Sequence, residues 1–453
     1  MNATLAHARD LLRQSFGHQD FRPLQSRVIH HVLCNRDVLA VLPTGGGKSL
    51  CFQVPALAGS GLTIVISPLI ALMQDQVGSL VRRGVAAAAL NSTHDPATQE
   101  AIVQQAVSGE LRLLYVSPER LPRLADELHA RGGRVARLAV DEAHCIVEWG
   151  HDFRPGYREL RALRRALGSP PCVALTGSAT PDVRREIQAA LEFRPDSREI
   201  IGSFDRPNLR FEIVPVTSRD DRLARMVKLV RSAVGAAIVY APTRGLVDAL
   251  ARVLGEQGVR AAPYHAGMQP DERSRVLERF LSDDVRVVVA TCAFGMGIDK
   301  AGVRLVAHWT MPATPESYYQ EAGRAGRDRG PARCVMFHHP GDAILPRRQL
   351  ATTFPAERML AELWRDPALR ARHPASVVAS ADRLAAELKP ERGSVNWQGV
   401  RRRRREAERR IAAMLAYASG KGCRRRTLLH WFGERVDACG NCDRCGPAKP
   451  VKG

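Results

Sequence analysis

The chain has few of the features that mark secreted, membrane-spanning or disulfide-rich proteins. Ten cysteines in 453 residues are too few for a disulfide framework of this size. The longest apolar runs, such as residues 62–66, are much shorter than the roughly 18 residues that a membrane span needs. Residues 1–17 have no apolar signal-peptide core. We therefore expect the protein to stay in the cytoplasm, where it is made.

Acidic residues and lysine are both scarce relative to arginine. The chain has 67 Lys and Arg against 47 Asp and Glu, a net charge of +20, and only seven of those cations are lysine. This excess favours a polyanionic partner, most simply nucleic acid. Codon usage in a basic proteome would produce the same arginine bias, so both explanations stay open. Hydrophobic residues at 45 % and charged residues at 25 % exclude a disordered chain.

Two stretches of the chain alternate short strand-like runs with helical patterns. In the first stretch, strands are predicted at 38–42, 62–66, 111–116, 136–140 and 172–176, with helices such as 69–82 and 181–192. In the second, strands are predicted at 236–240, 285–289, 304–308 and 332–337, and helices at 243–256, 270–281 and 315–326. Such βαβ series form parallel sheets covered by helices. The predicted fold class is α/β: two parallel-sheet lobes joined within 200–209, then helices rich in arginine and alanine after about residue 343.

Residues 38–50 run from a strand through a glycine loop into a helix. Glycines let backbone N–H groups close around phosphate oxygens, and the helix N-terminus adds a favourable dipole. The loop residues are Thr44, Gly45, Gly46, Gly47, Lys48 and Ser49. We expect Lys48 to reach the β- and γ-phosphates and Ser49 to bind Mg²⁺. Leu42 stands where such loops usually begin with glycine, but the strand–loop–helix setting still predicts a nucleotide site.

Two carboxylates follow the hydrophobic strand that ends at residue 140. Asp141 fits a Mg²⁺ ligand, and Glu142 fits the group that orients the attacking water. Taken alone, a strand ending in Asp-Glu is as often the start of a helix. The phosphate loop upstream shifts the interpretation towards hydrolysis.

Two arginines in the second lobe are candidates for the same reaction. Arg324 and Arg327 lie three apart on one face of the predicted helix 315–326, with only Glu321 and Asp328 as acidic neighbours. Arginines supplied across a cleft stabilise charge on a transferred phosphoryl group. A solvated basic helix end would have the same pattern, and it would be favoured without the other motifs.

The order of these motifs resembles superfamily 2 helicases, and specifically the RecQ family of DNA helicases, over about residues 10–345 and again over 411–445. The resemblance implies a first RecA-like, ATP-binding lobe (1–203) and a second RecA-like lobe (204–345). A helical insert (346–410), which could hold a degenerate helix-turn-helix, and a zinc-binding module (411–453) would follow. The implied cofactors are ATP, Mg²⁺ and Zn²⁺.

The resemblance also implies roles for individual segments. In residues 16–25, Gln25 would read the adenine edge, and Phe16, Phe21 and Arg22 would frame the base. Residues 67–76, which begin with Ser67 and Pro68, and 117–120 would hold the phosphates of one DNA strand. Residues 175–180 would couple hydrolysis to lobe movement, although Gly177-Ser178 departs from the Ala-Thr more usual in RecQ proteins. In the second lobe, His265 would contact DNA, and Gly297 and Asp299 would contact the nucleotide.

Residues 143–157 resemble the aromatic-rich loop that distinguishes RecQ proteins from RNA helicases. Trp149, Phe153 and Tyr157 would offer faces for base stacking, and His151 and Arg154 polar contacts. A loop directly after Asp141-Glu142 could report bound DNA to the ATP site. The alternative is that the aromatic residues are packing anchors.

The four C-terminal cysteines have the spacing of a metal site. Cys423, Cys439, Cys442 and Cys445 form the pattern C-x15-C-x2-C-x2-C. Four sulfurs fill a tetrahedron, so zinc there would be structural and would have no open position for catalysis. An iron–sulfur cluster is the main alternative. A RecQ zinc-binding module has this arrangement.

The C-terminal region departs from the family in two ways. The chain stops eight residues after Cys445, so we expect a short form without the winged-helix and accessory domains that many members carry. Residues 354–410 read as an insert of three helices, at 354–364, 376–388 and 397–415. In the third helix, a core stripe is predicted from Trp397, Val400, Ala407, Ile411 and Met414. The five arginines at 401–405 either contact phosphates or form a solvated face, and the sequence favours neither interpretation over the other.

The resemblance predicts an ATP-dependent DNA helicase that moves 3′ to 5′ on single-stranded DNA and unwinds forked duplexes in repair or recombination. It would act in the bacterial cytoplasm at the nucleoid, with single-strand-binding or repair proteins as unidentified partners and with no membrane association. The alternative from another class is a DNA-binding or annealing factor whose ATPase only regulates binding. The aromatic-rich loop disfavours an RNA helicase.

Overall fold

The computed structural model describes residues 4–446, apart from residues 44, 69, 92, 148–156, 158–159, 296–299 and 389–394. The chain divides into two compact units, Met1–Phe204 and Asp205–Gly453, and the division lies inside the segment 200–209. Each unit is built on its own parallel sheet. Among the described helices, none has the length and apolar character needed to cross a membrane.

The first unit contains a seven-stranded sheet of entirely parallel pairs, in the order β3-β4-β2-β5-β6-β1-β7. Its strands are β1 (Val38–Val41), β2 (Leu62–Ile66), β3 (Ala87–Leu90), β4 (Leu113–Val116), β5 (Val135–Val140), β6 (Cys172–Thr176) and β7 (Arg198–Ile201). Its helices are α1 (Leu5–Phe16), α2 (Pro23–Leu33), α3 (Leu50–Ala58), α4 (Ile70–Arg82), α5 (Pro96–Ser108), α6 (Leu121–Ala130), α7 (Leu160–Ala166) and α8 (Pro181–Ala190).

The second unit contains a six-stranded parallel sheet in the order β10-β11-β9-β12-β13-β8. Its strands are β8 (Leu209–Pro215), β9 (Ala236–Tyr240), β10 (Ala261–Tyr264), β11 (Val287–Ala290), β12 (Val303–His308) and β13 (Ala332–His338). The helices among and just after them are α9 (Arg219–Ser232), α10 (Arg244–Glu256), α11 (Pro270–Leu281), α12 (Pro315–Ala322) and α13 (Ile344–Thr353). The C-terminal helices are α14 (Glu357–Arg365), α15 (Ala375–Leu388), α16 (Trp397–Ser419) and α17 (Arg424–Trp431).

The predicted α/β class, with two parallel-sheet lobes and a helical C-terminal region, is confirmed. The strands found from sequence are those with continuous apolar runs, because a central parallel strand is buried on both faces. The four strands that the sequence pattern missed, β3, β7, β8 and β10, are the edge strands of the two sheets. Strands β7, β8 and β10 are partly exposed, whereas β3 is mostly buried but consists largely of alanine, a residue of low strand propensity.

One predicted helix is too long. Residues 315–326 were expected to be helical, but α12 ends at Ala322 and the chain continues through turns to Asp328. Gly326 has a φ of 54°, in the left-handed region that favours glycine, which a continuing helix would not allow. Arg324 and Arg327 therefore do not share a helical face, and they lie in this segment, Gly323–Asp328, which we call the arginine turn.

Candidate nucleotide, DNA and zinc sites

The phosphate loop leaves the carboxyl end of β1 and leads into α3, with Ser49 as the residue before the helix. Gly45 and Gly47 have φ values of 77° and 69°, and the N–H of Gly46 donates to the Pro43 carbonyl at 2.8 Å. A Cβ on Gly47 would overlap the amide nitrogen of Gln25. The loop therefore needs glycine for its backbone conformation and for the space beside α2. Thr44 lies outside the described residues.

Gln25 and Arg22, which were predicted to contact the adenine base, are bonded to the phosphate loop. The Gln25 side chain is 4 % exposed, and its Oε1 accepts from the Arg22 backbone N–H at 2.8 Å. Its amide nitrogen donates to the carbonyls of Gly46 and Gly47 at 3.2 and 3.1 Å, and the Arg22 guanidinium donates to the carbonyl of Gly45. To contact an adenine, the two side chains would have to give up these hydrogen bonds to the loop. Adenine recognition by Gln25 and Arg22 stays a prediction.

Phe16 is packed in the hydrophobic core of the first unit. It ends α1 with 9 % of its surface exposed, and Phe21 lies in the same core. The guanidinium of Arg83 lies 5.7 Å from the Phe16 ring centre. This burial favours a packing role for Phe16, and its framing of the base stays a prediction.

Asp141 and Glu142 follow β5, and Glu142 lies close to the phosphate loop lysine. Lys48 Nζ is 3.5 Å from Glu142 Oε1, and both side chains are mostly buried. Glu142 has a φ of 47°, a conformation that non-glycine residues adopt at a cost and that occurs at functional sites. Burial, and then the charge of Glu142, raise the pKa of Asp141 to about 6. Two adjacent buried carboxyl groups facing one lysine fit a divalent cation, which would relieve this repulsion.

His144 is a site residue that the sequence interpretation missed. Its Nδ1 lies 2.9 Å from the Thr176 hydroxyl and 3.3 Å from Glu142 Oε2. Thr176 ends β6, which runs between β5 and β1, and its hydroxyl donates to the Ser178 carbonyl at 3.1 Å. His144 therefore links the carboxylates to the segment 175–180. The signal in the sequence was its position two residues after the acid pair, at the end of a buried strand.

The arginine turn of the second unit is held by two residues of the segment before β8. Arg206 donates to the carbonyls of Ala325 and Gly326 at 3.0 and 2.7 Å, and Asn208 donates to those of Gly326 and Gly330 at 2.9 Å each. Arg206 and Asn208 were not predicted as site residues. They fix the backbone on which Arg324 and Arg327 are carried.

The two acidic residues next to Arg324 and Arg327 pair with other residues. Glu321 lies 2.8 Å from His308, and Asp328 pairs with Arg304. Arg324 donates to the Gly295 carbonyl, which precedes residues 296–299. Gly297 and Asp299, which were predicted to contact the nucleotide, lie outside the described residues. A role for Arg324 and Arg327 at a phosphoryl group stays a prediction.

The residues that were predicted to contact DNA differ in their position and in what they bind. Ser67 and Pro68 are buried after β2, so their side chains offer little surface to a phosphate. His265 follows β10, and its Nε2 lies 3.0 Å from Asp248. DNA contacts by Ser67, Pro68 and His265 stay predictions.

Tyr157 is packed beside the acid pair. It is 1 % exposed, and its hydroxyl donates to the Asp141 carbonyl at 3.4 Å, which favours the packing alternative, while base stacking by Tyr157 stays a prediction. Trp149, His151, Phe153 and Arg154 lie outside the described residues, and their predicted contacts stay predictions.

The four C-terminal cysteines converge as their spacing predicts. The Sγ atoms of Cys423, Cys439, Cys442 and Cys445 all lie within 4.8 Å of one another. Tetrahedral zinc with sulfur ligands at about 2.3 Å needs sulfurs about 3.8 Å apart, so the cluster fits that metal. Burial acts to raise the pKa of Cys423, but backbone N–H donors and neighbouring thiols lower it to about 7, whereas burial raises the pKa of Cys439 to about 12. The four thiols therefore share their protons unequally, and the fit to zinc rests on their geometry.

The cysteine cluster is joined to the edge of the second sheet. Cys442 forms a bridge with Phe211 of β8, and the N–H of Ile213 donates to Asp443 Oδ2 at 3.2 Å. Arg424, fully buried, pairs with Asp443 at 3.0 Å. The indole N–H of Trp431 donates to Glu316 of α12 at 2.9 Å, so the same region also contacts the helix before the arginine turn.

Three family models match the chain. Residues 22–189 match the DEAD/DEAH box helicase model, residues 221–329 the helicase conserved C-terminal domain, and residues 388–446 the RecQ zinc-binding model. Two solved structures share the fold at low identity. Helicase Lhr of Mycobacterium smegmatis, bound to single-stranded DNA and AMP-PNP, has a TM-score of 0.57 and 21 % identity over 91 % of this chain and 58 % of its own. Dbp5 of Saccharomyces cerevisiae, bound to RNA and ADP BeF3, has a TM-score of 0.60 and 16 % identity over 77 % of this chain and 92 % of its own.

The curated relatives are closer in sequence. ATP-dependent DNA helicase RecQ of Haemophilus influenzae is 39 % identical over 98 % of this chain, and the chain spans 65 % of that relative's length. The protein of the same description from Bacillus subtilis is 37 % identical over 97 % of this chain and 67 % of its own length. With these identities, and with the RecQ zinc-binding match falling on the cysteine cluster, the chain belongs to the RecQ family of ATP-dependent DNA helicases.

Proposed function

We propose that the chain is an ATP-dependent DNA helicase that moves 3′ to 5′ on single-stranded DNA and unwinds forked duplexes. The observation that carries this proposal is the connected group in the first unit. Lys48 of the phosphate loop contacts Glu142, Glu142 contacts His144, and His144 contacts Thr176. This arrangement supports ATP hydrolysis whose progress is sensed by residues 175–180.

Each side chain has a separate task in this proposal. Lys48 binds the β- and γ-phosphates, and Glu142 orients the attacking water. Arg324 and Arg327 stabilise the negative charge that develops on the transferred group. Ser49 and Asp141 would hold Mg²⁺, which supplies positive charge to the phosphate oxygens when bound. Zinc on the four cysteines would be structural, and the raised pKa of Asp141 is consistent with a cation partner.

DNA as the substrate is supported by the similarity to ATP-dependent DNA helicases and by the positive charge of the chain. The proposed substrates arise in repair and recombination, which is where we expect the protein to act, at the bacterial nucleoid. The experiment that tests the proposal is strand displacement on 3′-tailed and 5′-tailed duplexes, with ATP hydrolysis measured in parallel. We expect displacement of the 3′-tailed duplex alone. Hydrolysis without displacement on either duplex would instead assign an annealing or binding factor with a regulatory ATPase.

Trp149 provides a test of how DNA stimulates hydrolysis. Base stacking on an aromatic side chain contributes roughly 1–3 kcal/mol per base. We expect Trp149→Ala to bind single-stranded DNA with modestly reduced affinity and to lose most of its DNA-stimulated ATP hydrolysis. Hydrolysis rates with and without DNA measure the effect, and Trp149→Phe, which keeps an aromatic face for stacking, is the matched control. Full stimulation of Trp149→Ala by DNA would show that this tryptophan is a packing residue.

A further inference from the structure

The five consecutive arginines of α16 have different partners, which the sequence alone did not separate. Arg401 pairs with Glu357 of α14 at 2.6 Å, and Arg404 pairs with Glu408 one turn along the helix at 3.1 Å. Both charges are therefore compensated locally. The positive charge that this helix offers to a ligand is consequently carried by other arginines.

Three arginines form a line along the outer side of α16, which we call the outer stripe: Arg402, Arg405 and Arg409. They follow the spacing i, i+3 and i+7, and they point away from the side on which Val400, Ile411 and Met414 are buried. Arg402 and Arg405 are exposed, and neither has a carboxylate within 4.0 Å among the residues that the structure describes.

Arg409 is held in place at the end of the stripe nearest the zinc module. It pairs with Glu406 at 2.8 Å, so its charge is compensated, and its guanidinium lies 4.9 Å from the ring centre of Trp431. Arg409 therefore anchors the stripe, and Arg402 and Arg405 carry its uncompensated charge. Trp431 ends α17, the helix that begins after Cys423, and it is bonded to Glu316, so the stripe ends on a well-anchored surface. A stripe on a 23-residue helix held in this way is preorganised, which lowers the entropy cost of binding.

We propose that the outer stripe binds successive phosphates of duplex DNA at the fork. Seven residues of helix span about 10 Å, enough to meet two neighbouring phosphates along one strand. Surfaces for single strands combine positive charge with exposed aromatic faces, whereas the aromatic residue at this stripe is covered by Arg409. Binding to the DNA backbone of this kind carries no sequence preference. The inference rests on the proposed helicase function and names the surface that receives the duplex.

The test compares two double variants that remove equal charge from one helix. Arg402→Ala with Arg405→Ala removes the uncompensated pair, and Arg401→Ala with Arg404→Ala removes the two arginines in ion pairs. For binding to a forked duplex, the slope of log K against log salt should fall in the first variant by about 0.9 for each phosphate that is no longer neutralised, about 1.8 in all. The control variant should keep a slope close to that of the wild-type protein. An equal fall in both variants would show a general field effect and overturn the proposal.

Three further measurements make the result specific. Arg402→Lys with Arg405→Lys should restore the wild-type slope, and unchanged zinc content and melting temperature exclude a folding defect. An equal loss of affinity for single-stranded DNA would assign the stripe to that strand, and a loss confined to duplex RNA would assign it to RNA; either result overturns the proposal. Hydrolysis of ATP by the wild-type protein on single-stranded DNA tests the proposed function separately, so the two failures are distinguishable.

Discussion

At the scale of single residues, the nucleotide site depends on one close pair between two elements. Lys48, in the phosphate loop, lies 3.5 Å from Glu142, and Glu142 adopts a positive φ, which is unfavourable for a residue with a side chain. The conformation is maintained because Lys48 and His144 both contact the carboxylate.

Lys48→Ala should lower ATP hydrolysis about 10²–10³-fold, because the variant lacks the positive group that the phosphate loop directs at the β- and γ-phosphates. Binding of single-stranded DNA should be largely retained, since Lys48 is not in a segment predicted to meet DNA. Steady-state hydrolysis and fluorescence anisotropy measure the two properties. Lys228→Ala, in α9, is the control and should hydrolyse ATP normally. Wild-type turnover in Lys48→Ala would refute the assignment of the phosphate loop.

Asp37 is a buried residue whose role is structural. It is fully buried before β1, where it accepts hydrogen bonds from Arg164 at 2.7 Å, the Cys172 N–H at 2.8 Å and the Arg194 N–H at 2.8 Å. Burial acts to raise the pKa of Asp37, but the bonds from Arg194 and Arg164 outweigh it and lower the pKa below its ordinary value. The carboxylate joins β1 to β6 and to the segment after α8.

Asp37→Asn should destabilise the first unit by about 3–5 kcal/mol, because it leaves the buried guanidinium of Arg164 uncompensated. A lowered carboxyl pKa contributes stability above the unfolded-state pKa, and this contribution is lost as the pH falls below about 4. The stability gap between wild type and variant should therefore narrow in acid. Urea unfolding at about pH 7 and at about pH 3.5 measures it. A gap that stays constant would contradict the assignment of a charged Asp37.

At the scale of elements, the arginine turn shows why a helix prediction failed. The pattern over residues 315–326 is helical in period, but the tertiary contacts of Arg206 and Asn208 capture the backbone carbonyls after Ala322. Gly326 allows this because it has no side chain. A Cβ there would lie 2.5 Å from the Asn208 amide nitrogen and 2.7 Å from the Gly330 carbonyl oxygen.

Gly326→Ala should destabilise the second unit by more than about 1 kcal/mol, since it combines a positive φ with two close contacts. It should also lower ATP hydrolysis, because Arg324 and Arg327 are carried on the displaced turn. Gly245→Ala is the matched control: it lies in the first turn of α10 with no heavy atom near the added Cβ. That variant should be unchanged or slightly more stable. Melting temperatures and ATP hydrolysis rates of the two variants measure these effects. A Gly326→Ala variant that is as stable and as active as the wild-type protein would refute the role of the turn.

At the scale of the whole molecule, the C-terminal cysteine cluster covers a sheet edge. Strand β8 is an edge strand, and residues Cys442 and Asp443 occupy positions along it through the bridge to Phe211 and the bond to Ile213. An uncovered edge would expose unpaired backbone groups. The metal site is thus part of the second unit and not an independent appendage.

Cys442→Ser should release the metal and destabilise the second unit, because structural zinc contributes directly to folding free energy. The first unit should keep its affinity for nucleotide. Metal analysis, limited proteolysis and nucleotide titration measure these effects, with Cys292→Ser, outside the cluster, as the control that keeps its metal. Iron in place of zinc in the wild-type protein, or full zinc retention in Cys442→Ser, would contradict the assignment.

The central strands, the phosphate loop, the acid pair and the cysteine spacing were all predictable from the sequence. Each of these is a local pattern: a buried parallel strand is a continuous apolar run, and a loop or metal site requires particular residues at short separations. Family membership followed from the same patterns, because they occur in one order along the chain.

The remaining features became visible only once the chain was folded. The missed strands are sheet edges, Phe16 and Tyr157 are packed inside, and His144 bridges Glu142 and Thr176. The fold also separates Arg401 and Arg404, which are in ion pairs, from Arg402 and Arg405, which have no carboxylate within 4.0 Å among the described residues. These outcomes depend on which distant segments meet a residue, and burial and ion pairing across such contacts leave no periodic pattern in the chain.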